Sequence, residues 1–188
     1  MDWRFFIRAL LTDLPLEEIV DELKDFDERF VIILQKHLAV LGWWCILHAV
    51  AAVLGLFLAG GMWWYFFLMN ITWAAINFFI VLKIFDHVFY RRFIKGNTFD
   101  RFEVHWHVER MLLLNVGLDV SYIFAGLYLH TLGRLPDIAY PELWTGFGWS
   151  VILQGVFLFC LDNFFRRLHL KNFYKAQPFL EERLRIEF

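Results

Sequence analysis

Four long apolar runs constrain the fold of this chain more than any other feature. They occupy residues 37–59, 62–85, 111–132 and 143–164, and each has about the 20 residues that an α-helix needs to cross a bilayer core. Hydrophobic residues make up 60% of the 188 residues, with Phe 23 and Trp 9. A soluble domain of this length could not bury so much apolar surface, whereas lipid solvates it. The sequence therefore predicts an all-α integral membrane protein, a four-helix up-and-down bundle.

The distribution of basic residues predicts how this bundle is oriented. Lys and Arg are concentrated in the connection at residues 86–110 and in the segment after the fourth run, whereas the Gly60-Gly61 turn has none and the loop at residues 133–142 has only Arg134. The positive-inside rule then places both termini and the 86–110 loop in the cytoplasm. We expect the protein in the bacterial cytoplasmic (inner) membrane. The net charge of -2 gives no reason to expect a nucleic-acid partner.

The flanking segments differ in character from the spans. Residues 1–36 place apolar side chains at helical spacing after Pro15, with acidic side chains opposite, which predicts an amphipathic helix. That helix either lies in the headgroup region or packs on the cytoplasmic end of the bundle. Residues 166–188 form a basic cytoplasmic tail with a short helix. The predicted organisation is thus residues 1–36, a transmembrane domain at residues 37–165, and the tail.

The third run carries polar side chains on one face. Asn115, Asp119 and Tyr122 stand at i, i+4 and i+7, and a carboxyl in mid-membrane costs on the order of 3 kcal/mol to insert. This face should therefore meet other helices, and each of them supplies polar groups. The resulting candidate polar seam comprises His48, Asn70, Asn77, Asn115, Asp119, Tyr122, Gln154 and Asp162.

Three interpretations of the seam remain open. Its members can hydrogen-bond to one another and fix the helix register, as polar groups do in membranes. Alternatively, Asp119 and His48 can be the titrating pair of a proton or ion route, or the seam can hold a lipid, a quinone or a pigment. Asn and Gln outnumber the ionisable groups, which favours the packing role.

The histidines raise the question of a metal or haem. His105 and His107 lie between Glu103 and Glu109, with His87 nearby in the chain. However, HxH spacing places the two imidazoles on different sides of a helix, so these residues are only weak candidates and no metal site is predicted. Bis-histidine haem is disfavoured because His48 has no second histidine at its depth. The sequence requires no cofactor, and lipid, pigment, quinone and haem all stay open.

Three segments resemble a family of small uncharacterised bacterial membrane proteins, a domain of unknown function found in Bacteroidetes-type genomes. They are residues 65–80, 111–129 and 146–162. The residues that carry the resemblance are Met69, Asn70, Asn77, Asn115, Gly117, Leu118, Asp119, Tyr122, Gly146, Phe147, Gly148, Gln154, Gly155 and Asp162. This chain has Ala74 where family members often have Asn, so one seam contact is missing or replaced. The resemblance implies a four-helix membrane fold and no known activity.

No pattern in the sequence assembles a nucleophile with a base or a phosphate-binding loop, so we do not predict an enzyme. The first functional prediction is an accessory or scaffold subunit that acts by contact with a larger membrane complex, with lipids or with pigment. A small transporter or proton- or ion-conducting bundle is the alternative, and a haem- or quinone-binding redox subunit is a further one. The expected partners are membrane lipids, other membrane subunits or a second copy of the chain.

Overall fold

A computed structural model describes residues 21–85 and 98–187 of the chain. The described part forms four α-helices: α1 (Asp21–Leu58), α2 (Met62–Phe85), α3 (Thr98–Leu132) and α4 (Pro141–Glu187). Residues 1–20, where most of the predicted amphipathic helix falls, and residues 86–97 lie outside the described residues. The predicted all-helical architecture is confirmed.

All four helices are long and apolar enough to cross a membrane. They contain 38, 24, 35 and 47 residues, which at about 1.5 Å per residue exceeds a hydrocarbon core of about 30 Å in every case. The prediction of four membrane-length helices is therefore confirmed. The excess length of α1, α3 and α4 means that each continues well beyond its apolar run.

These continuations change the expected boundaries of the helices. α1 runs from Asp21 into the first apolar run without a break, and α3 begins at Thr98, inside the expected 86–110 loop. α4 continues through Pro178 to Glu187, so the fourth run and the basic tail form one helix. Helix hydrogen bonds are local and do not require lipid, so a helix extends past the apolar run wherever its residues favour it. A proline removes one such bond and does not necessarily end a helix of this length.

The described residues form two compact units. The bundle unit comprises Leu38–Lys83 and Leu114–Asp162, and the extension unit comprises the described residues of Met1–His37, Ile84–Leu113 and Asn163–Phe188. The two units thus contain different segments of the same helices.

The bundle unit has polar side chains inside and apolar side chains outside. Asn70 and Gln154 are each 1% exposed, whereas Phe57 and Leu58 are 84% and 85% exposed. In water this distribution would leave large apolar side chains hydrated and bury polar groups that need partners. It is the distribution expected of helices whose outer surface contacts lipid.

Within the bundle unit, α4 packs against each of the other three helices. The ring of Trp44 on α1 stacks on Phe157 of α4, with 3.5 Å between centroids. At Gly146 the backbone of α4 lies directly against the Met62 carbonyl of α2, and at Gly148 against the backbone of α3. The turn between α1 and α2 is tight because Gly61 adopts a φ of 59°, a conformation that glycine reaches without strain.

The extension unit has an aromatic core. Phe26 and Phe30 of α1 are 2% exposed, and they lie beside His105 of α3 and His169 of α4. Polar contacts link α1 to α4: Arg29 Nε donates to Asn172 Oδ1 at 3.0 Å, and Asn172 Nδ2 donates to the Phe26 carbonyl at 3.0 Å. This unit therefore resembles the interior of a water-soluble helical protein more closely than a lipid-facing bundle.

Candidate functional site

The centre of the bundle unit is a hydrogen-bond network around Gln154. Its amide Nε2 donates to Asn70 Oδ1 at 2.9 Å, and its Oε1 accepts from Trp44 Nε1 at 2.9 Å. His48 Nδ1 lies 3.2 Å from Asn70 Oδ1 and 3.4 Å from Gln154 Nε2. We call these four residues the Gln154 network. It joins α1, α2 and α4 at one point.

The local helix geometry explains how each helix contributes. Trp44 and His48 are four residues apart on α1, so they share a face. Asn70 is held in place by its own helix, because Nδ2 donates to the Phe66 carbonyl at 3.0 Å. Its Oδ1 is thereby turned toward Gln154 and His48.

His48 Nδ1 forms a hydrogen bond within the Gln154 network in both histidine tautomers. With a proton on Nδ1, His48 donates to Asn70 Oδ1; with the proton on Nε2, its Nδ1 accepts from Gln154 Nε2. The ring of Trp44 covers the network, 3.9 Å from the centroid of His48. Two carboxamides, one indole and one imidazole bind one another in this arrangement, and their chemistry is that of an interhelical bond.

Asp119 does not join the Gln154 network. The side chain is 3% exposed, and its Oδ2 is buried without a hydrogen-bond partner. No hydrogen bond in the described part of the chain connects it to His48, so the pair expected for a proton route is not assembled by direct contact. Asp162 of α4, the other carboxyl of the predicted seam, is also buried.

Close helix packing places Asp119 against α4. A Cβ at Gly155 would lie 3.0 Å from the Asp119 carbonyl and 2.9 Å from Ile123 Cγ1. The same helix pair approaches at Gly126 and Gly148, where a Cβ would lie 2.8 Å or less from backbone atoms of the other helix. The small residues of α3 and α4 therefore let two backbones approach to a distance that side chains would prevent.

The remaining predicted seam residues are dispersed. Asn77 is buried on α2, Asn115 is half-buried on α3, and no hydrogen bond among the described residues links either of them to the Gln154 network. Tyr122 packs edge-on against Trp73 of α2 with 5.1 Å between ring centroids. The Trp73 Nε1 atom is buried without a partner. Several of the predicted seam residues therefore lie outside the Gln154 network, joined to it by no hydrogen bond among the described residues, and Asp119 is one of them.

Trp44 is not among the residues predicted for the polar seam. The structure places its indole N–H inside the Gln154 network. A signal was present in the sequence, because Trp44 lies one helical turn from His48, and a tryptophan donor at that spacing can share the face of a polar neighbour.

The histidine-rich segment forms no metal centre among the described residues. No group of three or more His, Cys, Asp or Glu side chains there has a geometry suited to a metal ion. His105 is buried in the extension unit, stacked on Phe173 at 4.1 Å, and His107 is half-buried. Glu109 is bound by Arg166, whose Nε donates to Oε1 at 2.9 Å. His87 and the side chain of Glu103 lie outside the described part.

Comparison with known families covers the segment that contains the Gln154 network. A family of unknown function, DUF6992, matches residues 40–163. The match includes most of the first apolar run as well as the three segments that carried the resemblance, and so it contains the whole Gln154 network and Asp119. No curated protein and no solved structure matches the chain. Because the match covers most of the chain, this protein belongs to DUF6992, a family of unknown function.

Proposed function

We propose that this protein is a membrane-embedded accessory or scaffold subunit that works by contact with another membrane protein. The observation that supports this function best is the hydrogen-bonded Gln154 network. Its polar groups bind one another across three helices, and Gln154 at its centre is 1% exposed and bonded on both amide atoms, to Trp44 and to Asn70. The polar seam then serves helix packing, and the contacts with a partner are made by the outer surface of the bundle unit.

The outer surface supports the same proposal. Large apolar side chains project from the bundle unit, including Trp43 at 64% exposed, Phe124 at 67% and Tyr128 at 67%. Aromatic side chains supply much contact area at a low cost in conformational entropy, which suits helix-to-helix association in lipid. The partner would be an apolar helical surface of a second membrane protein in the bacterial inner membrane.

The experiment is extraction of the native protein into nanodiscs, followed by native mass measurement and an absorbance spectrum. A heavy particle containing other membrane subunits is the expected result. Replacing Trp43 and Phe124 with Leu should release the protein from that particle, whereas Trp63→Leu, which changes an exposed tryptophan beside the α1–α2 turn, serves as a matched control. A colourless monomer would contradict the proposal, and a visible haem spectrum would replace it with a redox role.

A second candidate function is supported by Asp119. A buried carboxyl oxygen without a partner in a membrane-length helix is a common feature of proton and ion pathways. In that case Asp119 and Asp162, rather than Asp119 and His48, would carry the charge. Proteoliposomes loaded with a pH-sensitive dye test it: proton flux that is lost in Asp119→Asn and kept in His48→Gln would favour conduction over scaffolding.

A further inference from the structure

One face of α4 carries a row of basic side chains just beyond the fourth apolar run. Arg167, Lys171 and Lys175 follow one another at four-residue spacing and are all exposed. Together with Leu170 and Tyr174 they line a shallow depression on the helix surface. We call these five residues the α4 stripe. Residues four apart on a helix are neighbours, so the three charges act on one small area.

The opposite face of the same helix segment is used for packing. Phe165, His169, Asn172 and Phe173 are buried in the core of the extension unit. Arg166, the immediate neighbour of Arg167, turns inward and binds Glu109. On this helix, therefore, Arg166 has a structural role inside the unit, whereas Arg167, Lys171 and Lys175 face outward.

The α4 stripe has no acidic side chain close to it along its own helix. Between Asp162 and Glu181 the sequence has no Asp or Glu, while it has Arg166, Arg167, Lys171 and Lys175. Within the part of the chain that the structure describes, no carboxylate forms an ion pair with the three stripe cations. An exposed positive row without acidic neighbours attracts anions and is strongest at low ionic strength.

The position of the α4 stripe favours a lipid as the source of that anion. Arg167 follows the end of the fourth apolar run, residue 164, by three residues, or about 5 Å along the helix axis. Lys171 and Lys175 follow at about 10 and 17 Å, and their long stems can bend back toward the headgroups. Tyr174, at 65% exposed, has the amphipathic ring typical of the membrane interface.

We propose that the α4 stripe binds the phosphate headgroup of an anionic membrane lipid. The guanidinium of Arg167 can hold two phosphate oxygens in a bidentate contact, and the ammonium groups of Lys171 and Lys175 add point charges. Leu170 and Tyr174 supply the apolar part of the depression beside the headgroup. This inference does not depend on the proposed scaffold role, because it concerns the extension unit and needs no protein partner.

Native mass spectrometry of the full-length protein in neutral detergent tests the proposal directly. Titration with phosphatidylglycerol should give more bound lipid than titration with phosphatidylcholine. The triple variant Arg167→Gln, Lys171→Gln, Lys175→Gln should lose this preference, by roughly fivefold for each charge removed. Raising the salt concentration should weaken phosphatidylglycerol binding by the wild type and leave phosphatidylcholine binding unchanged.

A matched control removes the same number of charges elsewhere. Lys24→Gln, Lys36→Gln and Arg134→Gln change three exposed basic residues outside the α4 stripe, and this variant should keep the preference for phosphatidylglycerol. Equal losses in both triple variants would show a general effect of charge and overturn the proposal. So would displacement of the lipid by millimolar inorganic phosphate, because the site would then accept a free anion.

A second measurement uses the unmodified protein, in case the triple variant fails to fold. A phosphatidylglycerol analogue with a photoreactive headgroup is incorporated into vesicles with the wild type and then irradiated. Cross-links within residues 164–178 support the proposal. Cross-links confined to other segments overturn it.

Discussion

At the scale of the residue, Gln154 determines whether three helices share one polar contact. Gln154→Leu removes two hydrogen bonds together, the one from Trp44 Nε1 and the one to Asn70 Oδ1. Because hydrogen bonds between membrane helices contribute about 0.6 to 2 kcal/mol each, we expect the free energy of unfolding to fall by about 1 to 3 kcal/mol. Unfolding in mixed detergent micelles measures it. Thr72→Val is the control, because the Thr72 hydroxyl bonds only to Leu68 of its own helix. Equal losses in the two variants would show that the Gln154 network adds no stability.

His169 is the second informative residue. Both ring nitrogens are buried without a partner, and its ring packs edge-on against Phe30 at 4.9 Å. A buried polar atom without a hydrogen bond lowers stability, whereas an apolar ring of similar shape does not. His169→Phe should therefore leave the free energy of unfolding unchanged or raise it by about 1 kcal/mol. The same unfolding assay checks this, with His107→Phe at a half-buried position for comparison. A clear loss of stability would show that the His169 imidazole binds a water molecule or an ion.

At the scale of the helix, the packing of α3 on α4 depends on positions that exclude a side chain. A Cβ at Gly148 would lie 2.6 Å from the His130 backbone nitrogen and 2.7 Å from the Gly126 carbonyl. Backbone atoms cannot move aside as a flexible side chain can, so Gly148→Ala forces the two helices apart. We expect a loss of at least about 2 kcal/mol, at the upper end of the cost of overpacking.

The control for this helix pair is Gly117→Ala. No heavy atom lies within 4 Å of a Cβ at Gly117, and alanine favours a helix over glycine by up to about 1 kcal/mol. This variant should be neutral or more stable than the wild type in the same unfolding assay. If both alanine variants unfold alike, the α3–α4 contact is not the tight interface that the geometry indicates.

At the scale of the whole molecule, the distribution of basic residues leads to a prediction about topology. We expect the loop between α3 and α4 on the outer side of the membrane and the end of α4 on the cytoplasmic side. In a background with Cys45 and Cys160 replaced by Ser, a membrane-impermeant maleimide added to intact spheroplasts should label Arg134→Cys and not Glu181→Cys. Labelling of Glu181→Cys after lysis shows that this position is reactive. The reverse pattern in intact spheroplasts would invert the proposed orientation.

The amino-acid sequence by itself determined the class of fold. Apolar runs of bilayer length require helices, because only a helix satisfies its backbone hydrogen bonds within one segment. The period of the helix also determined which polar residues share a face, as Trp44 does with His48 and Asn115 with Asp119. Family membership was likewise readable from the spacing of motifs in the later apolar runs.

Only the tertiary structure decided which of these faces meet. Periodicity defines a direction on one helix, whereas the rotation and depth of its neighbours depend on packing between helices. Here α4 approaches α2 closely at Gly146, and on the same pair of helices Gln154 bonds to Asn70, whereas Asp119 of α3 does not join that network. The sequence could therefore name candidates for the polar seam but not which of them hydrogen-bond to one another, because side-chain volumes at the helix contacts, and not the pattern of polarity, select the partners.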